Sequence, residues 1–92
     1  MHISSIATIK PSGNTAVSEI DGGLALIDLE TGDYFYLNGT ASVVWAGVKA
    51  EKSAKAIALD LSGQFDVTVD EALVDVLALL DDMVRLGFAE AV

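Results

Sequence analysis

Residues 24–39 read Leu24-Ala25-Leu26-Ile27-Asp28-Leu29-Glu30-Thr31-Gly32-Asp33-Tyr34-Phe35-Tyr36-Leu37-Asn38-Gly39, and this stretch divides the chain. Up to Leu37 the aliphatic and aromatic residues read as two strands, Leu24 to Leu29 and Tyr34 to Leu37. The short glycine-containing turn between them makes the pair a hairpin. After Asn38-Gly39 the apolar period lengthens from two to about 3.6. Ala41, Val44, Trp45 and Val48 then occupy one face of a helix whose N-cap is Asn38 or Thr40.

Upstream, Thr15 to Ile20 reads as a further strand between the turn signals Pro11-Ser12-Gly13-Asn14 and Asp21-Gly22-Gly23. Ile3, Ile6 and Ile9 fit neither period, so residues 1–14 read as an N-terminal arm or an extra strand beside a domain of residues 15–92. Downstream, Ala54, Ile57, Ala58 and Leu61 repeat the helical spacing after Ser53, with Gly63 read as the stop. Thr68 and Glu71 form a capping box for a third helix, Val67 and Ala72 its staple, and Gly87 its end, so that helix is expected to run to about Leu86. Strands followed by helices make the class α+β, here a three-stranded antiparallel sheet and then three helices.

The third helix is more apolar than one buried stripe requires. At about 100° per residue, Ala72, Val76, Leu79, Met83 and Leu86 share one side, with Leu73, Leu77, Leu80 and Val84 beside them. Asp70, Glu71, Asp75, Asp81, Asp82 and Arg85 fill the other half. Either the helix is covered on two sides, or one edge of its apolar arc forms a groove beside the sheet.

Ninety-two residues suffice for one domain, and 52% apolar against 21% charged is enough to fold it. The formal charge is −9, from five Lys+Arg and fourteen Asp+Glu. Phosphate backbones and anionic membranes both require clustered positive charge, so neither nucleic acid nor a membrane surface is an expected partner. No apolar run reaches the length of a membrane span and no secretory signal opens the sequence, which makes the expected location cytoplasmic.

The inventory for catalysis is thin. With no cysteine and His2 as the only histidine, thiol and Ser-His-Asp chemistry and thiolate metal sites fall away. Asp81-Asp82 and Asp70-Glu71 are sequence neighbours that diverge by about 100° on a helix and read as a solvated face. The glycines form no dinucleotide or phosphate-binding motif. Asp60-Leu61-Ser62 has the wrong order for an acyl-carrier attachment site. Tyr34, Phe35, Tyr36 and Trp45 lack the basic neighbours that base stacking requires, so Trp45 reads as core. No cofactor and no metal is expected.

The string Leu26-Ile27-Asp28-Leu29-Glu30-Thr31-Gly32-Asp33-Tyr34-Phe35-Tyr36-Leu37-Asn38, followed by Gly39, Val44 and Trp45 and closed by Leu86-Gly87-Phe88, resembles the PqqD-like family. That family comprises coenzyme PQQ synthesis protein D and the leader-binding RiPP recognition elements of lasso-peptide and related pathways. The resemblance covers about residues 15 to 89. It implies a winged helix-turn-helix-like domain, without enzymatic activity, that holds the leader of a ribosomally made precursor peptide in the cleft between the third strand and the third helix. The implied enzyme partners are the leader peptidase and cyclase of a lasso pathway or, alternatively, a radical-SAM enzyme of the PQQ pathway.

On that resemblance the leader adds a strand beside Asp33, Tyr34, Phe35, Tyr36 and Leu37 and meets Leu73, Val76, Leu77, Leu80 and Val84 of the third helix. Tyr34 and Tyr36 are the expected strand anchors, with Phe35 and Leu37 turned inward. Asp81 or Asp33 is the expected carboxylate for a basic leader residue. Two rivals stand beside this reading. One is a winged-helix DNA regulator, which Lys55 and Gln64 equip poorly. The other is a small structural subunit pairing its hairpin edge with a copy of itself; the sequence leaves the oligomeric state open.

Overall fold

The computed structural model describes residues 8–92. His2, Ile3 and Ile6 lie outside the described residues. The elements are β1 (Ile9–Pro11), β2 (Thr15–Ile20), β3 (Gly23–Asp28), β4 (Tyr34–Leu37), α1 (Gly39–Lys49), α2 (Ala54–Gln64), α3 (Val69–Arg85) and β5 (Ala89–Ala91). The third strand of the sequence reading is thus β4.

β2, β3 and β4 form one antiparallel sheet in that order. Asp21 and Gly22 both take positive φ, 44° and 81°, so β2 and β3 are joined by a two-residue turn whose twist matches the strands. At the second turn the Asp28 carboxylate accepts the Glu30 and Thr31 backbone N–H groups at 2.8 and 3.2 Å, which fixes the hairpin leading to β4.

Each helix begins at a side-chain cap. Asn38 Oδ1 accepts from Ala41 N at 2.9 Å, so the residue that ends β4 also starts α1 and fixes the corner between them. Ser53 caps α2 through Ala56 N. Thr68 accepts from Glu71 N and donates its hydroxyl to Glu71 Oε1 at 2.9 Å. Gly63 does not stop α2, because it lies inside the helix, which ends at an extended Phe65. A single glycine costs a helix only about 1 kcal/mol, little enough for packing of Ile57, Ala58 and Leu61 to override. Gly87, at φ 87°, does end α3.

Within the N-terminal segment, residues 9–11 form a strand. β1 pairs antiparallel with β5, a strand absent from the sequence reading, in register Ile9 with Ala91 and Pro11 with Ala89. Ser12 N donates to the Phe88 carbonyl at 3.0 Å and Thr15 Oγ1 to the same oxygen at 3.2 Å, so the start of β2 is fastened to the end of α3. The core joins both layers: Ile9, Leu26, Leu37, Val44, Trp45, Val48, Ile57, Leu61, Val76, Leu80, Met83 and Phe88 are all buried. Among the described residues no helix is long and apolar enough to cross a membrane.

Candidate functional site

β4 is an edge strand, and its backbone alternation defines what that edge offers. Tyr34 lies opposite Ile27, Phe35 opposite Leu26, Tyr36 opposite Ala25 and Leu37 opposite Leu24. Asp28 N donates to the Asp33 carbonyl at 2.8 Å, which makes that pair, and then every second pair, hydrogen-bonded. Phe35 and Leu37 therefore spend their backbone groups on β3. The N–H and C=O of Tyr34 and Tyr36 point away from it, the unfilled half of a ladder. Asp33 adds nothing to this edge, because its N–H goes to Thr31 Oγ1 and its C=O to Asp28.

The side chains alternate in the same way. Tyr34 and Tyr36 are 75% and 49% exposed, whereas Leu37 is 1% exposed and Phe35 meets the ring of Phe88 edge-on at 5.9 Å. Tyr36 lies across Gly23: a Cβ on that glycine would stand 2.6 Å from the tyrosine Oη and collide with the Leu37 carbonyl. The glycine therefore leaves the room that the end of the Tyr36 ring occupies.

At the C-terminal end of β4 opens a groove of about 200 Å³, lined by Asn38, Thr40, Ala41 and Val44 at the start of α1, by Leu61, Phe65 and Val67 around the end of α2, and by Ala72, Asp75, Val76 and Leu79 of α3. The Phe35–Phe88 contact brings the middle of β4 to the residues that follow α3, while Asn38 faces its Asp75–Leu79 stretch. At about 100° per residue Asp75, Leu79, Asp82 and Leu86 form one stripe of α3, and Leu86 is 46% exposed.

Of the helix residues expected from sequence to meet the leader, Val76 lines this groove. Leu80 is completely buried in the core, and Leu73, Leu77 and Val84 pack against that core from the other flank of α3. The buried seam of Ala72, Val76, Leu80 and Met83 runs between two flanks, and Leu73, Leu77 and Val84 on one and Leu79 on the other are each half-buried against the core. Asp81, offered by the sequence as a carboxylate for a basic leader residue, is partly buried and engaged within the protein. Leu37 contributes core packing in place of an accessible side chain.

The electrostatics of the site are negative. Asp75 is the one charged side chain lining the groove, and Asp33 stands exposed at the other end of β4. Nearby, Arg85 is held by Asp82 at 2.7 Å. No group of three or more His, Cys, Asp or Glu able to hold a metal occurs among the described residues.

The sheet's other edge, β2, faces a separate cavity lined by Val17, Glu19, Leu24, Ser42, Trp45, Ala46 and Lys49. It opens over α1 and carries charges of both signs. Trp45 is buried as expected, and its indole N–H has no hydrogen-bond partner among the described residues.

Three comparisons bear on the chain as a whole. Residues 23–89 match the family model of coenzyme PQQ synthesis protein D (PqqD), which spans the β3–β4 hairpin, all three helices and the first residue of β5. A solved structure of lasso peptide synthetase B1 complexed with the leader peptide is similar at 26% identity and TM-score 0.82, over 89% of this chain and 96% of that one. TbiB1 in complex with the TbiA(beta) leader peptide has the same fold at 23% identity and TM-score 0.81, over 88% and 94% of the two chains. No curated protein matches this chain.

Proposed function

The chain belongs to the PqqD family, and from that premise we propose that it binds the leader of a ribosomally made precursor peptide along the free edge of β4 and presents the precursor to maturation enzymes. The observation that carries the reading is the unpaired edge of β4 together with the apolar groove that α1, the end of α2 and α3 wall just past its last residue. An extended peptide added to β4 completes the ladder at Tyr34 and Tyr36. Its side chains then alternate between the tyrosine face and the inner face toward α3. Beyond Leu37 the groove receives one large apolar side chain.

Two parts of the interaction have different jobs. Backbone pairing sets register and depends little on sequence, while burial of a side chain in the groove, worth about 1.5–3 kcal/mol, supplies selectivity. The protein performs no bond chemistry in this scheme. Its contribution is effective concentration: a precursor held by its leader keeps its core segment near an enzyme that acts on it. The likeness at 26% identity to a lasso peptide synthetase B1 bound to its leader favours a leader peptidase and a cyclase as those enzymes over a radical-SAM partner of a PQQ pathway.

The test is titration calorimetry of the purified protein with leader peptides from precursor genes encoded beside its own, with a scrambled leader as control. Submicromolar to micromolar binding of one leader supports the reading. Failure of every neighbouring leader to bind folded protein refutes it.

A further inference from the structure

We propose that the segment read at the β4 edge is cationic as well as apolar, with a Lys or Arg reaching Asp75 beside the groove and a second reaching Asp33 at the hairpin end. This rests on the leader-binding reading and specifies the chemistry of the leader. The groove is walled by apolar side chains and two neutral polar residues, Asn38 and Thr40, with Asp75 as its only charge. Neither Asp75 nor Asp33 has an ion-pair partner among the described residues.

The chain's own cations do not supply one. Lys10 pairs with Glu90, Lys52 with Asp60 and Arg85 with Asp82, and Lys49 lines the cavity on the β2 side. Lys55 lies on α2, away from the residues that line the groove. With a formal charge of −9 behind them, the two carboxylates sit in a field that attracts cations and repels an acidic peptide.

The spacing follows from the strand. Asp33 and Asn38 bracket the four residues of β4, and a paired peptide advances about 3.3 Å per residue, so the two cations stand about five to seven residues apart. The apolar anchor for the groove lies next to the one that meets Asp75. Backbone pairing alone would accept many sequences, and this charge pattern lets an acidic carrier tell its own leader from others.

The test compares a neighbouring-gene leader that binds with the same peptide carrying Gln at every Lys and Arg of its bound segment, against wild-type protein and Asp75→Asn. Asp75 is exposed, so the variant is expected to fold, and circular dichroism checks it. The native leader should bind wild type about 3- to 10-fold more tightly than its Gln version. That advantage should shrink with Asp75→Asn and at high salt. Equal affinity of the two peptides for wild type overturns the inference and leaves leader binding standing. Equal loss for both peptides with Asp75→Asn also overturns it. Binding of no neighbouring leader brings down the leader reading, and this inference with it.

Discussion

The two flanks of α3 differ in hydrophobicity and in what they line. Leu73, Leu77, Leu80 and Val84 make the greasier flank, with Leu80 fully enclosed and the other three half-buried. Asp75, Leu79, Asp82 and Leu86 make the mixed flank, whose Asp75 and Leu79 line the groove past the end of β4. On the leader-binding reading, a stripe of alternating Asp and Leu stays hydrated until the leader arrives where four aliphatic residues would not.

Paired substitutions test this contrast. The largest effect belongs to Leu80→Ala, expected to lower stability by about 2–5 kcal/mol in denaturant unfolding while folded protein keeps its leader affinity. A matching loss of affinity in the folded protein would return Leu80 to the site and break the contrast. Next is Tyr36→Pro, which removes an outward N–H that β3 does not use. Leader binding should fall about 30-fold, about 2 kcal/mol, in calorimetry, whereas Glu19→Pro on the β2 edge should leave it unchanged. Equal effects at both edges would show that neither edge is special.

Leu79→Asp and Leu77→Asp sharpen the comparison on the helix itself. The first should weaken leader binding about tenfold by placing a charge at the groove, and the second should cost stability without a comparable loss of affinity. The reverse ranking, read by fluorescence anisotropy, would move the site to the other flank. The smallest effect is that of Thr68→Ala, which removes the cap serving both flanks alike. Stability should fall by about 1 kcal/mol, a melting shift of about 4–8 °C, with affinity unchanged.

Much of the fold was legible because its signals are local. Asn38, Ser53 and Thr68 each cap a helix within three residues of their own position, and Asp21-Gly22 sets a turn from its own φ angles. The hairpin and the inward facing of Leu37 follow from a period of two. Gly63 misleads because a glycine signal near a helix end has the same local form whether the helix stops there or continues. β1 and β5 were not legible as a pair: strands of three residues carry too little pattern, and their partners lie about eighty residues apart in the chain.

The amino-acid sequence by itself determines the order of elements, their caps and turns, the lack of cysteine with a single histidine, and an acidic net charge, since each depends on residue type or on neighbours within one turn. Tertiary structure decides which side of α3 faces the groove, which backbone groups of β4 remain unpaired, and that Asp75 lines that groove. Those are rotational and register choices, fixed by how Phe35, Phe88 and the seam of α3 pack against elements distant in sequence. A helix rotated by one residue keeps the same sequence pattern and presents a different face, so only packing can select among them.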